Sequence, residues 1–312
     1  MKKANQSVLM PFYETPLGKL YNSSIEDFIS SGPEKGRKFD LILTSPPYPL
    51  VSPKAYGNKV GQDYHDWIIQ IFSGLIESLS DNGSLVVEIG NAWEKGSPTM
   101  STLPIETLLS LKNNLGLHVC QQMIWQNPSK LPGPANWVNK HRIRVKDSFT
   151  YIWWFSKTDW PKADNRKVLQ PYKPAMEKLL QTQRYNQGSR PSGHTMGPGF
   201  LTRHSGSIPS SVISMANSAE SKEYKEWCKV GNLPRHPARM PIGLAKFFIE
   251  FLTDKGDLVF DPFGGSNTTG FAAQELGRNW ISVERDTSYA LGSAGRFGAD
   301  FAKTVMNGYK NA

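Results

Sequence analysis

Cysteine is scarce in this chain, and long apolar runs are missing from it. Only Cys120 and Cys228 occur among 312 residues, too few and too widely spaced for a zinc cluster, so we expect two ordinary thiols and no metal site. No stretch approaches the roughly 20 uninterrupted apolar residues of a membrane helix. The N-terminal lysines precede no apolar segment typical of a signal peptide. The sequence therefore predicts a soluble, cytoplasmic protein with no membrane contact.

Acidic residues are also scarce in about a quarter of the chain. Between Lys130 and Ser210 there are 14 lysines and arginines against 4 acids, while the whole chain has a formal net charge of +9. The positive charge is therefore concentrated in this segment. A solvated basic surface would give the same pattern, but a polyanionic partner is the sharper interpretation, with nucleic acid as the obvious candidate.

One segment lacks the regular apolar patterns that lie on either side of it. From about residue 158 to 233 the chain is rich in Gly, Ser and Pro, as in "YNQGSRPSGHTMGPGF", and has hardly any periodic apolar pattern. We therefore predict one main domain made of two halves, residues 1–157 and 234–312. A smaller, irregular region over residues 158–233 separates these halves.

The apolar pattern of the two halves predicts an α/β fold. "FDLILTSPPY" begins as a continuous apolar run, typical of a strand buried on both faces of a parallel sheet. Residues 63–80 have the spacing of an amphipathic helix, and "SLVVEIG" is the next predicted strand, with Glu88 near its end. Later in the chain, "DLVFDPFGGSNTTGFAAQELG" predicts a strand, a glycine-rich turn and a helix before the strand "WISVERD".

The glycine-rich turn predicts a nucleotide-binding βαβ unit. Glycines let the backbone pass close to a ligand, and the start of the following helix offers free N–H groups. Glu284 ends the next strand, 19 residues after Gly265, where an acid typically binds the two hydroxyls of a ribose. NAD and S-adenosylmethionine both carry an adenosine ribose, so this pattern alone leaves the ligand open.

The position of this unit in the chain restricts the topology. Only 28 residues follow Glu284, too few for the further βα units of a doubly wound sheet. The remaining strands must therefore come from the N-terminal part, which places the "TSPPY" strand and the "GGSNTTG" strand in one sheet. Their carboxyl ends would open on the same crevice, where open α/β sheets bind their ligands.

The turn after the first of these strands is unusual because it contains two prolines. Pro46 and Pro47 have no N–H, so the shape of the turn is set before any ligand arrives. The carbonyls of Ser45 and Pro46 and the serine hydroxyl remain as acceptors, and Tyr48 adds a flat face. These groups suit a planar ring with an exocyclic amino group. The plainer interpretation is a rigid turn that ends a strand.

With these motifs together, the chain resembles the DNA amino-methyltransferases, which transfer a methyl group from S-adenosylmethionine to an exocyclic nitrogen of cytosine or adenine. Their acceptor motif resembles "TSPPY", and the serine is the form usual for cytosine N4. Their cofactor motif resembles "DPFGGSNTTG", preceded here by "HPA". "GNAWEKGSPTMS" and "RIRVKDSFTYIWWFSK" also look like segments of type II modification enzymes. The motif order is similar to that of the permuted β group.

The resemblance implies a fold and a set of partners. The fold is a Rossmann-like methyltransferase sheet with permuted motif order, and residues 158–233 occupy the position of the family's target-recognition region. The substrate would be double-stranded DNA, with S-adenosylmethionine as cofactor. The family often works in restriction-modification systems, so a separately acting restriction endonuclease is an expected partner. No residue pattern in the irregular region discloses the DNA sequence that would be recognised.

The resemblance also implies residue roles. The acceptor side would be Ser45, Pro46, Pro47, Tyr48 and Glu88, although Glu88 could equally be a capping carboxylate. The cofactor side would be Asp261, Pro262, Phe263, Gly264, Gly265, Glu284, His236 and Pro237. His236 could instead be purely structural, because it precedes a proline at the start of a helical segment. Neither cysteine follows a proline as the attacking cysteine of the cytosine-C5 enzymes does, so that chemistry is set aside.

Basic residues supply the candidates for DNA contacts. Lys140, Arg142, Arg144 and Lys146 alternate in "KHRIRVK", so as a strand they would place their charges on one face, suited to phosphate groups. The candidates for reading bases are Arg184, Arg190, His194, Arg203 and His204, since arginine offers guanine two donors. For each of these residues a solvated charge is the plainer interpretation.

The resemblance implies a type II methyltransferase that methylates N4 of a cytosine flipped out of a short recognition sequence and protects DNA in a restriction-modification system. Three other functions remain open. An adenine-N6 methyltransferase is the nearest, because serine in the acceptor motif is a tendency of the family and not a physical bar. A DNA-binding protein that has lost activity would have no reason to keep Ser45, Tyr48 and Glu284. A NAD-dependent dehydrogenase would leave the proline pair unexplained and has no histidine or lysine placed beside the loop.

Overall fold

The computed structural model of the chain describes residues 9–48, 59–184, 197–217 and 222–311. The chain forms two compact units, one with residues up to 163 together with 211–312, and one with residues 164–210. The smaller unit lies inside the region that the sequence sets apart as irregular. Residues 211–233 of that region belong to the larger unit.

A mixed sheet of nine strands, counted over the described residues, forms the centre of the larger unit. In chain order the strands are β1 (Tyr13–Thr15), β2 (Gly18–Asn22), β3 (Phe39–Thr44), β4 (Leu79–Gly90), β5 (His118–Gln126), β6 (Phe149–Ser156), β7 (Val212–Ser214), β8 (Leu258–Asp261) and β9 (Asn279–Glu284). In space the order is β1-β2-β9-β8-β3-β4-β6-β5-β7. Strands β2, β9, β8, β3 and β4 run parallel, whereas β6 is antiparallel to β4 and β5. The predicted α/β class is confirmed.

Helices cover both faces of this sheet. The α-helices are α1 (Ile25–Ser31), α2 (Gly61–Ile76), α3 (Leu103–Asn114), α4 (Pro174–Thr182, in the smaller unit), α5 (Lys222–Val230), α6 (Ile242–Leu252), α7 (Thr268–Glu275), α8 (Thr287–Ser293) and α9 (Ala299–Asn311). Successive side chains of a strand point to opposite faces. Leu41 of β3 accordingly shares a core cluster with Phe248 of α6, whereas Ile42 shares the other cluster with Ile68 of α2.

The sheet joins the two halves of the chain directly. Strands β3 and β8 are neighbours and pair in parallel, with Leu41 opposite Val259 and Ile42 opposite Phe260. This pairing confirms that the proline-rich turn and the glycine-rich turn follow adjacent strands. We call the end of the sheet at which β2, β3, β4, β8 and β9 finish the carboxyl edge. Because β6 is antiparallel to β4, β6 begins at this edge.

The predicted helix over residues 63–80 is wrong at its C-terminal end. Helix α2 stops at Ile76, and β4 already begins at Leu79. The backbone N–H of Phe39 donates to the carbonyl of Ser78 at 2.7 Å, and Phe39 pairs with Leu79. Apolar spacing favours a longer helix here, but pairing with the start of β3 diverts these residues into the sheet.

Two features are absent from the described residues, a membrane-spanning helix and a metal-binding cluster. None of their helices combines the length and the apolar character that crossing a membrane requires. Nor do these residues contain a group of three or more His, Cys, Asp or Glu side chains that could hold a metal ion.

Candidate active site

The register between β3 and β4 places Ser45 beside Glu88. Thr44 pairs with Val87, so the next residue on each strand meets its neighbour at the carboxyl edge. The Ser45 hydroxyl donates to Glu88 Oε2 at 2.5 Å. The turn that follows β3 thus holds the Ser45 hydroxyl against the Glu88 carboxylate.

Tyr48 completes this group. Its hydroxyl donates to Glu88 Oε1, so both carboxylate oxygens accept a hydrogen bond from the acceptor turn. Its ring lies against Gly90, where an added Cβ would be only 2.5 Å from Cε2 of the ring. Glycine at position 90 therefore allows the aromatic ring to lie flat over the end of β4.

Burial controls the protonation of Glu88. Its side chain is 2% exposed, and desolvation raises the pKa of its carboxyl group above the ordinary value. The hydrogen bonds from Ser45 and Tyr48 and the positive charge of Lys130 act in the opposite direction. A buried carboxylate with a raised pKa is a proton acceptor held away from bulk water.

The glycine-rich turn is held by Glu284. The carboxylate accepts the backbone N–H of Gly265 through Oε2 and that of Asp286 through Oε1, both at 2.7 Å. Burial raises the pKa of Glu284 to about 7. Gly265 has a φ of +53°, and a Cβ there would be 3.3 Å from the His236 ring. Position 265 therefore favours glycine for its conformation and for the space beside the histidine.

Asp261 lies where β3 and β8 end side by side, and its predicted contact with the cofactor stays a prediction. Its side chain is 5% exposed, and Oδ1 accepts the Thr44 hydroxyl at 2.8 Å and the Phe263 N–H at 3.1 Å. Burial raises its pKa to about 6. The carboxylate thus connects the end of β3 to the end of β8.

One cleft at the carboxyl edge collects most of the predicted residues. Those that line it are Ser45, Pro46, Pro47, Tyr48, His236, Pro262, Phe263 and Glu284. Gly264 lies against β9, where its N–H donates to the carbonyl of Val283 at 2.8 Å. Pro237 is exposed next to His236. The structure thus brings the acceptor turn and the cofactor turn together, as the topology predicts.

His236 is fixed in this cleft by contacts on several sides. Its backbone N–H donates to the Tyr224 hydroxyl at 3.0 Å, and its Nδ1 lies in hydrogen-bond contact with the carbonyl of Ala238. Its ring meets the ring of Tyr289 edge-on at 4.7 Å. Burial lowers the pKa of the imidazole. The residue therefore has a structural role and also contributes to the wall of the cleft.

Some residues of the cleft wall were not predicted from the sequence, and two of them contact each other. Trp67 of α2 and Glu26 of α1 line the cleft, and the indole Nε1 donates to Glu26 Oε1 at 2.6 Å. The Trp67 ring lies 5.5 Å from that of Phe263. Amphipathic spacing assigns Trp67 to the helix core, and no local pattern distinguishes it from core residues.

Arg296 was also missed, although it holds the glycine-rich turn from behind. Its side chain is 4% exposed. Nε donates to the Ser266 carbonyl at 2.5 Å, and Nη2 donates to the hydroxyls of Ser266 and Thr268 at 2.9 and 3.0 Å. The guanidinium lies over the Tyr224 ring at 4.7 Å. The sequence offers one signal for this role: Arg296 is the single arginine of the largely small and apolar segment "YALGSAGRFGADFA". An arginine buried in such a segment needs partners for its charge.

The basic segment "KHRIRVK" does not form a strand. The prediction that its charges share one face required a strand, so that prediction is wrong. Residues Asn136–Lys140 form a π-helical turn, and residues 141–148 follow irregularly. Arg144 is also engaged: it donates to the Pro98 carbonyl and to Asp147 Oδ1, and lies 5.9 Å from the Trp93 ring. Long-range contacts of this kind override a local alternation of residues.

Lys140, Arg142 and Lys146 are exposed in this segment. They belong to the connection between β5 and β6, which leaves the sheet at the carboxyl edge. This connection starts from the same edge as the cleft, and the contact of the three side chains with phosphate groups stays a prediction.

The predicted base-reading residues fall in or near the smaller unit. Arg184 and His204 are exposed there. Arg203 forms an ion pair with Glu177 and lies 5.7 Å from the Tyr172 ring, so it is already engaged within the unit. Arg190 and His194 lie outside the described residues. Their role in reading bases stays a prediction.

Comparison with known proteins identifies the family. The model of a family described as DNA methylase matches residues 39–294. The chain is 41% identical over 289 residues to the type II methyltransferase M.PvuII of Proteus hauseri, covering 92% of this chain and 85% of that protein. The chain belongs to the DNA methylase family. This methylase is also 23% identical to the type II methyltransferase M.BglII of Bacillus subtilis, over 89% of this chain and 68% of the relative.

Solved structures agree with this assignment. The methylase superposes on a structure described as PvuII DNA methyltransferase (cytosine-N4-specific) with a TM-score of 0.76, at 36% identity over 96% of this chain and 95% of that one. It matches an M1.HpyAVI–SAM complex with a TM-score of 0.54 at 19% identity, over 91% of this chain and 100% of that one. The second likeness concerns the fold alone, and it confirms the methyltransferase type of sheet.

Proposed function

We propose that this methylase transfers a methyl group from S-adenosylmethionine to N4 of a cytosine in double-stranded DNA. The observation that carries the proposal is the hydrogen bond of 2.5 Å from Ser45 to buried Glu88, because Ser45 lines the same cleft as Glu284. The PvuII DNA methyltransferase, 36% identical in sequence, is specific for cytosine N4, which supports cytosine over adenine. The adenine-N6 alternative is therefore not favoured.

The acceptor side can bind and activate an amino group. Because the Ser45 hydroxyl donates to Glu88, its lone pairs are free to accept an amino hydrogen of the base. Pro46 and Pro47 have no N–H that could compete for the same acceptors. As the nitrogen takes up the methyl group it must lose one proton, and the Ser45 hydroxyl can pass that proton to Glu88. The raised pKa of buried Glu88 favours this transfer.

The cofactor side has groups that fit S-adenosylmethionine. A carboxylate has about four acceptor sites, and the two backbone N–H groups on Glu284 leave the others for ribose hydroxyls. Gly265 keeps the backbone bare beside His236, and Phe263 offers an aromatic face. When bound, S-adenosylmethionine supplies a methyl group already activated by a positive sulfur. The protein then has to orient the amine and accept its proton.

The target base has to leave the duplex to reach this cleft. Base flipping costs a few kcal/mol, and the pocket must recover this energy. The Tyr48 ring is held over Gly90 with its hydroxyl on Glu88. It thus offers a preformed face on which the flipped cytosine can stack, worth about 1 to 3 kcal/mol in comparable sites.

A direct assay tests the proposal. DNA is incubated with the methylase and labelled S-adenosylmethionine, and the nucleosides are separated. We expect the label in N4-methylcytosine. Label in N6-methyladenine, or none in DNA, would overturn the proposed acceptor. Sequencing of modified bases in DNA from cells that make the protein would give the recognition sequence.

We also propose that the methylase protects DNA in a restriction-modification system, with a separate endonuclease that recognises the same sequence. The support is the description of its relatives as type II methyltransferases. DNA from producing cells should resist endonucleases whose site overlaps the modified sequence.

We propose as well that residues 158–233 select the recognition sequence. Arg184→Ala should then reduce discrimination between sites differing by one base pair.

A further inference from the structure

Large apolar side chains are exposed on the connection between β5 and β6, residues 127–148, which we call the β5–β6 loop. Leu131 is 83% exposed, Ile143 61% and Val145 87%. Single exposed apolar residues need no explanation, but a group of them surrounded by charged residues marks an interaction site.

The β5–β6 loop holds these side chains on an ordered backbone. The Lys146 ammonium donates to the Lys130 carbonyl at 3.3 Å, and the Asp147 N–H donates to the Gly133 carbonyl at 3.0 Å. These bonds hold the two flanks of the loop together, next to Leu131 and Val145. The two side chains are therefore presented by a fixed framework and lose little backbone entropy on binding.

The loop stands beside the acceptor site. Its two ends are Gln126 of β5 and Phe149 of β6, which pair with each other. The next residue of β6, Thr150, pairs with Gly90 at the end of β4. The charge of Lys130 acts on the Glu88 carboxyl, which places the start of the loop within electrostatic range of the reacting centre. Whatever the loop contacts is therefore close to the target base.

The charge of the loop indicates what it contacts. Residues 127–148 contain five lysines and arginines and one acid. A basic surface with apolar tips suits a phosphate backbone with stacked bases beneath it. A protein partner would have to supply matching acidic groups, and the family substrate already provides the phosphates.

We propose that Leu131 and Val145 form an apolar wedge that enters the DNA beside the target cytosine and fills the space that the flipped base leaves. The inference rests on the proposed function, since it requires a base that leaves the stack. Apolar side chains of other DNA-binding proteins insert between base steps in this way. The wedge stabilises the open duplex, so it lowers the free-energy cost of flipping and leaves the chemistry of methyl transfer unchanged.

The test compares two DNA duplexes that contain the recognition sequence. In one the target cytosine is paired with guanine, and in the other it faces an abasic site, so that flipping no longer breaks a base pair. For the double variant Leu131→Ala/Val145→Ala, we expect single-turnover methylation of the paired duplex to be about tenfold slower than for wild type. On the abasic duplex the two rates should agree within about twofold, because flipping is already easy there.

Two controls separate the wedge from other effects. Trp160 is 85% exposed but follows β6 at the opposite end of the sheet, so Trp160→Ala should match wild type on both duplexes. Lys140→Gln removes an exposed charge from the same loop and leaves the bonds between its flanks in place, so loss of a phosphate contact should slow both duplexes by the same factor. Unchanged melting temperatures would exclude unfolding, as expected for exposed side chains.

The outcomes are distinct. A double variant that is as fast as wild type on the paired duplex, or equally slow on both duplexes, overturns the wedge. Wild type that modifies no DNA refutes the proposed function itself. Wild type that modifies adenine refutes the cytosine assignment, and the same pair of duplexes built around that adenine then decides on the wedge.

Discussion

At the scale of single residues, Ser45 carries the proposed chemistry. Ser45→Ala removes the hydroxyl that accepts the amino hydrogen and donates to Glu88. We expect single-turnover methylation to fall by about 10²- to 10⁴-fold, while the dissociation constant of S-adenosylmethionine changes less than about threefold. Rapid-quench assays and calorimetry measure the two quantities. Ser80→Ala, on the opposite end of β4, is the matched control and should change neither. Equal losses of rate and cofactor affinity in Ser45→Ala would contradict the role given to the hydroxyl.

The raised pKa of Glu284 leads us to expect that cofactor binding depends on pH. Without ligand its pKa is about 7, and the ionised form is the better acceptor for ribose hydroxyls. Affinity for S-adenosylmethionine should therefore rise with pH up to about 7, by at most about tenfold per unit, and then level off. The free energy of unfolding of the ligand-free protein changes in the opposite direction. Because the pKa of Glu284 is raised in the folded state, this group stabilises the fold at low pH, and the contribution disappears as pH rises through about 7.

Glu284→Gln is the control for that titration. The amide keeps the shape but cannot ionise, so binding should be weaker and its pH dependence near 7 should vanish. Calorimetry from pH 5.5 to 8.5, approximate limits set by the pKa of about 7, gives both curves. The titration of the ligand itself affects both proteins and cancels in the comparison. If the slope persists in Glu284→Gln, another group causes it.

At the scale of elements, the site arises where three strands end together. Thr44 of β3 donates to Asp261 of β8, and Ser45, one residue later, donates to Glu88 of β4. The same short segment thus connects the cofactor strand and the acceptor strand. Its two prolines add rigidity at the point where the chain leaves the sheet. The relative position of the acceptor turn and the glycine-rich turn is therefore set by the sheet itself.

Arg296 stabilises the glycine-rich turn that follows β8, so its replacement should act on the cofactor. Arg296→Lys loses the paired donors to Ser266 and Thr268 and should cost about 2 to 3 kcal/mol of stability. We expect the dissociation constant for S-adenosylmethionine to rise at least about tenfold, equivalent to about 1.4 kcal/mol, with DNA affinity unchanged. Thermal unfolding, calorimetry and fluorescence anisotropy measure these three quantities.

Arg278 offers a matched comparison for Arg296. It is 7% exposed and donates to Thr253 and to the Leu276 carbonyl, at the opposite end of the sheet. Arg278→Lys should lose similar stability without weakening the cofactor. A parallel loss of cofactor affinity in both variants would show that instability, and not the turn, is responsible.

At the scale of the whole molecule, the sequence predicts the sheet better than it predicts the contacts across it. The sequence predicts that the proline-rich and glycine-rich turns follow strands of one sheet, and the pairing of β3 with β8 confirms it. The position of Asp261 was not predictable, because its partner Thr44 lies 217 residues away in the chain. Arg296 and Trp67 were missed for the same reason: their roles depend on long-range packing, and local periodicity describes only short-range order.

The charge of the whole chain predicts how DNA binding responds to salt. Each phosphate contact contributes about 0.9 to the slope of log K against log salt concentration. Replacing Lys140, Arg142 and Lys146 by glutamine should therefore reduce the slope by up to about 3. The matched triple variant replaces Lys35, Lys38 and Lys255, which are exposed before β3 and β8 at the opposite end of the sheet. Its slope should equal that of wild type, and equal reductions in both variants would mean that net charge, and not the carboxyl edge, determines DNA binding.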